Sequence, residues 1–282
     1  MNGTMKHVNG LAVTLNRQIC AGIYGADAKR LTDKSFLEGL LKKAVEDGGF
    51  RIDELLSLKF ENKNGNDVAG VSVVASIGKG SHAALHTWPE GRYATIDIST
   101  CGSAEEREGM FESMAIEFGD AKIVRLEGSL AGNGNASNKE KAESDGSNRI
   151  LGRQVYGNMC EISADGRMGR EFFESMVRKA AENANMHIAD MCSHEFSGDE
   201  YAAVNAVSVI AILKESHIAF HLWPGGSGAC ASVDAHTCGG EGDPEAAVRY
   251  VMSELNPQRY SVSTIDRNYG TECGDALRQS IR

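Results

Sequence analysis

The sequence predicts an α+β fold made of two repeated halves, and three observations support that prediction. Two long segments match at a nearly constant offset, each carries an amphipathic helix, and each carries short strands rich in β-branched residues. A helix that is apolar on one face only must lie against another layer. We therefore expect two β-α-β-β-α-β halves packed as an α/β/β/α sandwich.

The repeated elements are a first helix, a buried strand, a second helix and a closing strand. Apolar residues at helical spacing mark the helices, and Val, Ile and Ala mark the strands. The elements are expected at 36–45, 71–75, 104–118 and 122–126 in the first half, and at 172–181, 207–211, 244–255 and 261–265 in the second. The order of elements is thus the same in both halves.

A segment of different composition separates the halves. Residues 128–148 are rich in Gly, Asn, Ser, Lys and Glu and nearly lack large apolar residues, which is typical of a flexible linker. We therefore predict a first half at 1–127, a linker at 128–148 and a second half at 149–282. Two halves in one chain suggest a fused pseudo-dimer whose sheets face each other, with further self-association left open.

Composition limits the classes of function. The net charge of −10 argues against a nucleic-acid partner, which would need clustered Lys and Arg. The seven cysteines are an odd number and include no CxxC pair, which argues against a disulfide framework. No apolar run is long enough for a membrane span and no targeting segment is visible, so the expected location is cytoplasmic.

One motif, Ser-His-x-x-x-His-x-Trp-Pro, occurs twice and carries the candidate chemistry. It occupies 81–89 and 216–224, where the offset between the halves has dropped from 136 to 135. Both copies then continue through an aspartate to Thr-Cys-Gly, namely Asp97 with 100–102 and Asp234 with 237–239. A neutral imidazole is well suited to moving protons near pH 7, and a thiol can deliver a proton to a carbanion-like centre.

This pattern resembles the core of the small prokaryotic S-adenosylmethionine decarboxylases, which are homodimers of a shorter chain. The resemblance implies that family's fold and self-processing, in which the serine attacks the preceding carbonyl and the chain breaks to leave a pyruvoyl group. It also implies the reaction: S-adenosylmethionine loses carbon dioxide and feeds spermidine synthesis. The cofactor would be the self-generated pyruvoyl group, without a metal.

The resemblance implies a role for one residue of each repeated pair. The pyruvoyl source would be Ser216 or Ser81, the groups that assist cleavage His86 or His221 with Ser72 or Ser208, and the proton donor Cys101 or Cys238. Trp88 or Trp223 would offer an aromatic face to the substrate. Glu90 stands where the family places a carboxylate that contacts the substrate ribose.

The two copies are not equivalent. Glu215 precedes Ser216, as is usual in the family, whereas Gly80 precedes Ser81. Beyond Trp-Pro the preference reverses, because the first copy has Glu90 where the second has Gly225. We predict cleavage between Glu215 and Ser216, with Glu90 reaching across from the first half. Cleavage at Ser81, or at both serines, stays open.

Three alternatives follow from departures of this sequence from the family pattern and from the spacing of its histidines. Gly22 and Asn158 replace an acidic residue usual in the family, so arginine or ornithine is an alternative substrate. A non-catalytic regulatory paralogue is a further alternative, because neither copy is complete. Histidines four apart could also bind zinc on a helix, but the surroundings of 82–86 and 217–221 are strand-like and no third ligand has a recognisable spacing. No metal is therefore expected.

Overall fold

A computed structural model describes residues 17–61, 68–78, 80–128, 150–163, 168–196, 206–214, 216–223, 228–238 and 242–268. The predicted linker lies outside these ranges except for residue 128, which ends a strand. Glu215 and Gly225 also lie outside the described residues. The predicted domain boundaries therefore stay a prediction.

Within the described residues each half contains six strands and two long helices. The first half consists of β1 (Arg17–Tyr24), α1 (Ala28–Thr32), α2 (Lys34–Asp47), β2 (Ile52–Glu61), β3 (Val68–Ile77), β4 (Ser81–Trp88), β5 (Tyr93–Thr100), α3 (Ala104–Ile116) and β6 (Lys122–Gly128). The second half consists of β7 (Ile150–Ile162), α4 (Arg170–Asn183), β8 (Ile188–Phe196), β9 (Ala206–Leu213), β10 (Ser216–Trp223), β11 (Ala229–Cys238), α5 (Pro244–Leu255) and β12 (Arg259–Asn268).

The two halves have the same sheet topology. The strand orders are β2-β3-β4-β5-β1-β6 and β8-β9-β10-β11-β7-β12, and all neighbouring pairs are antiparallel. The expected two-half α+β sandwich is confirmed, but four strands, and not the two of the expected β-α-β-β-α-β order, lie between the two long helices of each half. The motif strands β4 and β10 hold the same interior place in their sheets.

Alternation along the strands separates the two faces of each sheet. In β3, Val71, Val73 and Ala75 belong to the apolar core that includes the helices, while Val74 faces the other sheet. Neighbouring residues of a strand point to opposite faces, so Ser72 shares the face of Val74. The helices begin at recognisable caps: α3 has a Ser103–Glu106 capping box, and α5 has Asp243 as its N-cap.

The space between the sheets is apolar on one side and polar on the other. The apolar part consists of Leu56, Val74, Ala84, Cys192, Ile210, Ile212 and Ala219. The polar part contains buried histidines, aspartates and an arginine. Because burying a polar group without a partner is costly, these side chains must bond to one another across the two halves. Every helix in the described ranges is too short or too polar to span a lipid bilayer.

Candidate active site

The histidines of the two motifs meet between the sheets. His82 and His86 are four residues apart on β4, and His217 and His221 are four apart on β10. On a strand, residues an even number apart lie on one face, so each pair points into the interface. All four imidazoles are buried. The strand setting expected for the motif is observed.

The Ser216 hydroxyl lies among three imidazole rings. Its Oγ is 2.7 Å from His236 Nδ1, 3.1 Å from His86 Nε2 and 3.4 Å from His217 Nδ1. His86 belongs to the first half and the other two to the second. The surroundings of Ser216 are therefore built by both halves, as expected for a site at their interface.

A strand serine and a thiol complete this cluster. Ser72 Oγ lies 2.7 Å from His86 Nδ1, and Cys238 Sγ lies 3.6 Å from His236 Nε2. Burial, aided by neighbouring positive charge, lowers the pKa of His86 and of His236 well below the ordinary value, so both rings are neutral near pH 7. Burial raises the pKa of Cys238, which keeps its thiol protonated.

Ser81 has different surroundings. Its hydroxyl donates to Thr100 Oγ1 at 3.4 Å, lies 3.7 Å from Cys101 Sγ and accepts from the Cys101 amide at 3.4 Å. Within the described residues no imidazole is at hydrogen-bond distance from it. Gly80 has φ +67°, and a Cβ there would lie 2.6 Å from Trp223 Nε1. Trp223 thus excludes a side chain before Ser81.

His221 and Ser208 are paired with each other and lie apart from Ser216. Ser208 Oγ is 2.7 Å from His221 Nδ1, and His221 Nε2 is 2.9 Å from His82 Nδ1. His86 and Ser72 of the first half occupy the place beside Ser216 instead. The reason is geometric: a histidine on one sheet points away from its own strand and toward the facing sheet.

The predicted substrate-binding residues differ in exposure. Trp88 is half-buried, with its ring 5.3 Å from Tyr93 and 6.5 Å from His86, centroid to centroid. Glu90 is exposed just beyond β4. Trp223 is buried against Gly80. Trp88 is therefore the indole with more surface available near His86, and substrate contact by either indole stays a prediction.

A buried chain of side chains joins the two Ser-His pairs through Asp234. His86 Nε2 is 2.9 Å from His217 Nδ1, and Asp234 Oδ2 is 3.6 Å from His217 Nε2 and 3.2 Å from His82 Nε2. Burial alone would raise the pKa of Asp234, but the nearby His217 ring and the hydrogen bond with His82 outweigh it and hold that pKa below its usual range. Asp234 is therefore an anion at neutral pH.

Arg267 neutralises the charge of Asp97, which occupies in the first half the position that Asp234 occupies in the second. Its guanidinium donates to Asp97 Oδ1 and to Gln154 Oε1. Gln154 Nε2 in turn donates to both carboxylate oxygens of Asp234 at 3.1 Å. Burial lowers the pKa of Arg267, but Asp97 and other nearby groups more than reverse this effect, so the guanidinium stays charged. The two repeated aspartates are thus stabilised differently.

Comparison with known proteins identifies the family of this chain. A family model described as "S-adenosylmethionine decarboxylase" matches residues 17–127 and 153–268 of this chain. This chain belongs to the S-adenosylmethionine decarboxylase family.

Two known decarboxylases each align with a little less than half of this chain. An arginine decarboxylase proenzyme from Pyrobaculum arsenaticum is 38% identical over 120 residues, which are 43% of this chain and 86% of the relative. The crystal structure of the adenosylmethionine decarboxylase from Aquifex aeolicus is 26% identical with a TM-score of 0.38, covering 44% of this chain and 96% of that one. The arginine decarboxylase thus aligns with a stretch about as long as one half.

Some polar clusters of this decarboxylase have donors that could hold a metal ion. Their ligand atoms lie within 4.8 Å of one another in three groups: His86, Asp97, His217 and His236; His82, His217 and Asp234; and Glu54, Cys192 and His194. In the first two groups several side chains already bond to one another or to Ser216, whereas Asp97 Oδ2 and His217 Nε2 have no hydrogen-bond partner among the residues that the structure describes. The expectation of a metal-free site stays a prediction.

Sequence reasoning missed three residues of this site: His236, Gln154 and Arg267. For His236 a signal existed, because it stands two residues before Cys238 where the first copy has Ser99. Gln154 is repeated as Gln18 and looked like part of a strand. Arg267 lies beyond the predicted closing strand, and β12 carries it back to the interface because that strand is longer than its pattern indicated.

Proposed function

We propose that this chain cuts itself between Glu215 and Ser216 and uses the pyruvoyl group formed from Ser216 to decarboxylate a small substrate. The observation that carries the proposal is the contact of Ser216 Oγ with three imidazole nitrogens at 2.7 to 3.4 Å. An attacking hydroxyl needs a nearby base. Ser216 has one, and within the described residues Ser81 does not.

The residues around Ser216 fit a pyruvoyl group, because that group is built from the serine's own atoms in the space the serine occupies. When formed, it supplies a carbonyl that takes up the electrons released as carbon dioxide leaves. Ser72 orients the His86 ring from the first half. Cys238 keeps its proton because it is buried, which suits a proton donor. Burial of the cluster limits access of water.

S-adenosylmethionine is the substrate we propose first, giving decarboxylated S-adenosylmethionine for spermidine synthesis. Trp88 offers a half-exposed aromatic face near His86, suited to an adenine ring or a sulfonium cation. Glu90, exposed beyond the same strand, offers a carboxylate for ribose hydroxyls. The halves are proposed to act as a fused pseudo-dimer with boundaries at 1–127, 128–148 and 149–282, without a metal.

Arginine is the second candidate substrate. A relative that is 38% identical over 120 residues is named an arginine decarboxylase proenzyme. Gly22 and Asn158 also stand where an acidic residue is usual in decarboxylases of S-adenosylmethionine. Carbon dioxide release from carboxyl-labelled S-adenosylmethionine, arginine and ornithine would separate the candidates, with the Ser216→Ala chain as the blank.

Intact mass and denaturing gels test the cleavage itself. The purified chain should yield two fragments, 1–215 and 216–282, with a pyruvoyl group at the start of the second. Ser216→Ala should remain a single chain of 30.2 kDa, and Ser81→Ala should be cut like the wild type. Cleavage blocked by Ser81→Ala alone would reverse the assignment. A wild-type chain that stays whole would favour the regulatory paralogue.

A further inference from the structure

We infer that His236 is the base that takes the proton of the Ser216 hydroxyl during self-cleavage, a role with no counterpart in the first half. The inference rests on the proposed function and concerns its first chemical step. Of the three imidazole nitrogens around Ser216 Oγ, His236 Nδ1 is nearest, at 2.7 Å. A general base must lie within hydrogen-bond reach of the proton that it removes.

The other two imidazoles around Ser216 have additional partners. His86 Nδ1 is bonded to Ser72, and His86 Nε2 is shared between Ser216 and His217 Nδ1, 2.9 Å away. The hydrogen between those two nitrogens is carried by one ring and accepted by the lone pair of the other. Neither nitrogen therefore has a free lone pair in that arrangement. The Nδ1 atom of His236 faces Ser216, with Asp97 Oδ2 farther off at 3.8 Å. Its lone pair is therefore the most available.

The far side of the His236 ring favours the required tautomer. Nε2 lies 3.6 Å from Cys238 Sγ, a weak acceptor. With its proton on Nε2, the ring presents the Nδ1 lone pair to the serine hydroxyl. Burial also keeps the ring neutral, because it lowers the pKa of His236. A neutral base is thus in place beside the serine hydroxyl.

The proton balance of the step closes within the chain. The Ser216 hydroxyl proton moves to His236 Nδ1 as Oγ bonds to the carbonyl carbon of Glu215. The C–N bond between residues 215 and 216 then breaks, and the same proton passes to the leaving amine nitrogen. The product is an ester between the two residues. Breaking the chain next requires removal of the Ser216 α-proton, and the candidate for this later step is His86, whose Nε2 lies 3.1 Å from Ser216 Oγ.

The first half supplies the internal comparison. His236 pairs with His217 in the β10–β11 ladder, and Ser99 pairs with His82 at the equivalent place in β4–β5. Ser99 is buried and carries no imidazole. This difference would leave Ser81 without the base that Ser216 has.

The test uses the full chain with His236→Ser, which copies the residue of the first half, and His236→Asn, which keeps a polar side chain. Cleavage is followed on gels over time, with and without neutral hydroxylamine, which cuts esters, and the Ser216→Ala chain is treated in parallel to show any cutting at the Asn-Gly bonds of this sequence. Both variants should be cut at least about 100-fold more slowly than wild type, since general bases contribute about 10² to 10⁴. Neither should accumulate an ester that hydroxylamine cuts.

Two further variants control the result. His86→Ala should accumulate the hydroxylamine-sensitive ester if its role follows the acyl shift, and Ser99→Ala should be cut normally. Melting curves establish that each variant is folded. Wild-type cleavage rates in His236→Asn would overturn the inference, as would an accumulating ester in either His236 variant. A wild-type chain that is never cut would instead contradict the proposed function.

Discussion

At the scale of single residues, the repeat is most informative where its two copies diverge. Asp97 and Asp234 occupy equivalent positions, yet Arg267 balances Asp97, while Asp234 bonds to His82 and lies 3.6 Å from His217 Nε2. Gln154 joins the two arrangements by accepting from the arginine and donating to Asp234. The halves therefore share a sheet topology, but their buried aspartates are stabilised by different partners.

Removing Arg267 should be strongly destabilising. Arg267→Met leaves Asp97 buried without its cation, and breaking a buried pair in this way costs about 3 to 5 kcal/mol. Urea unfolding in a Ser216→Ala background, which keeps the chain whole, would measure it. Adding Asp97→Leu should recover most of the loss. Arg51→Met is the matched control, because its pair with Asp53 is exposed on the arginine side and should contribute at most about 1 kcal/mol.

The residues that sequence could predict are those whose spacing is repeated. Ser216, His86, Ser72 and Cys238 were predicted as candidates and meet in one cluster. Which histidine serves which serine could not be predicted, because it depends on the crossing of β4 and β10 between facing sheets. Arg267 could not be predicted either, since nothing in its local sequence indicates that β12 returns it to Asp97.

At the scale of elements, helices and central strands follow from their patterns. The first helices at 36–45 and 172–181 lie within α2 and α4, and Pro244 begins α5 as expected for a first helical turn. Strands β2 and β8 were not predicted individually, because they mix exposed polar residues with few buried ones. Edge position alone is not the reason, since the other edge strands, β6 and β12, were predicted at 122–126 and 261–265.

The start of β4 is an element whose conformation depends on the other half. Gly80→Ala should cost about 2 to 4 kcal/mol, combining a residue at φ +67° with a collision against Trp223. Gly49→Ala, at φ +77° with open space around it, measures the backbone part alone and should cost less. In a Trp223→Leu background the Gly80→Ala cost should fall toward the Gly49 value. Equal costs for both glycines in the wild-type background would contradict the packing argument.

At the scale of the whole molecule, the two halves are joined by a core that contains titratable groups. Burial of His86, His221 and His236 lowers the pKa of each below the value of the unfolded chain. Between pH 6.5 and the folded pKa values, the unfolded chain binds more protons than the folded one. Stability is therefore complete above about pH 6.5 and is lost as the pH falls. Asp234, with its pKa already lowered, adds a further loss only below its ordinary value of 3.8.

The acid sensitivity of folding should accordingly come from the interface between the halves. A fully charged histidine in the unfolded chain contributes about 1.4 kcal/mol per pH unit, and about half of that at pH 6.5. Three together therefore predict a fall of roughly 2 kcal/mol per unit at pH 6.5 that approaches roughly 4 kcal/mol per unit near pH 5.5. Urea unfolding of the Ser216→Ala chain from pH 7.5 to 5.5 would measure this slope. His221→Gln removes one of these three buried rings and should reduce the slope by about one third. A flat stability between pH 6.5 and 5.5 would mean that the buried rings can be protonated without opening the interface, because water or a rearranged Asp234 then stabilises the charge.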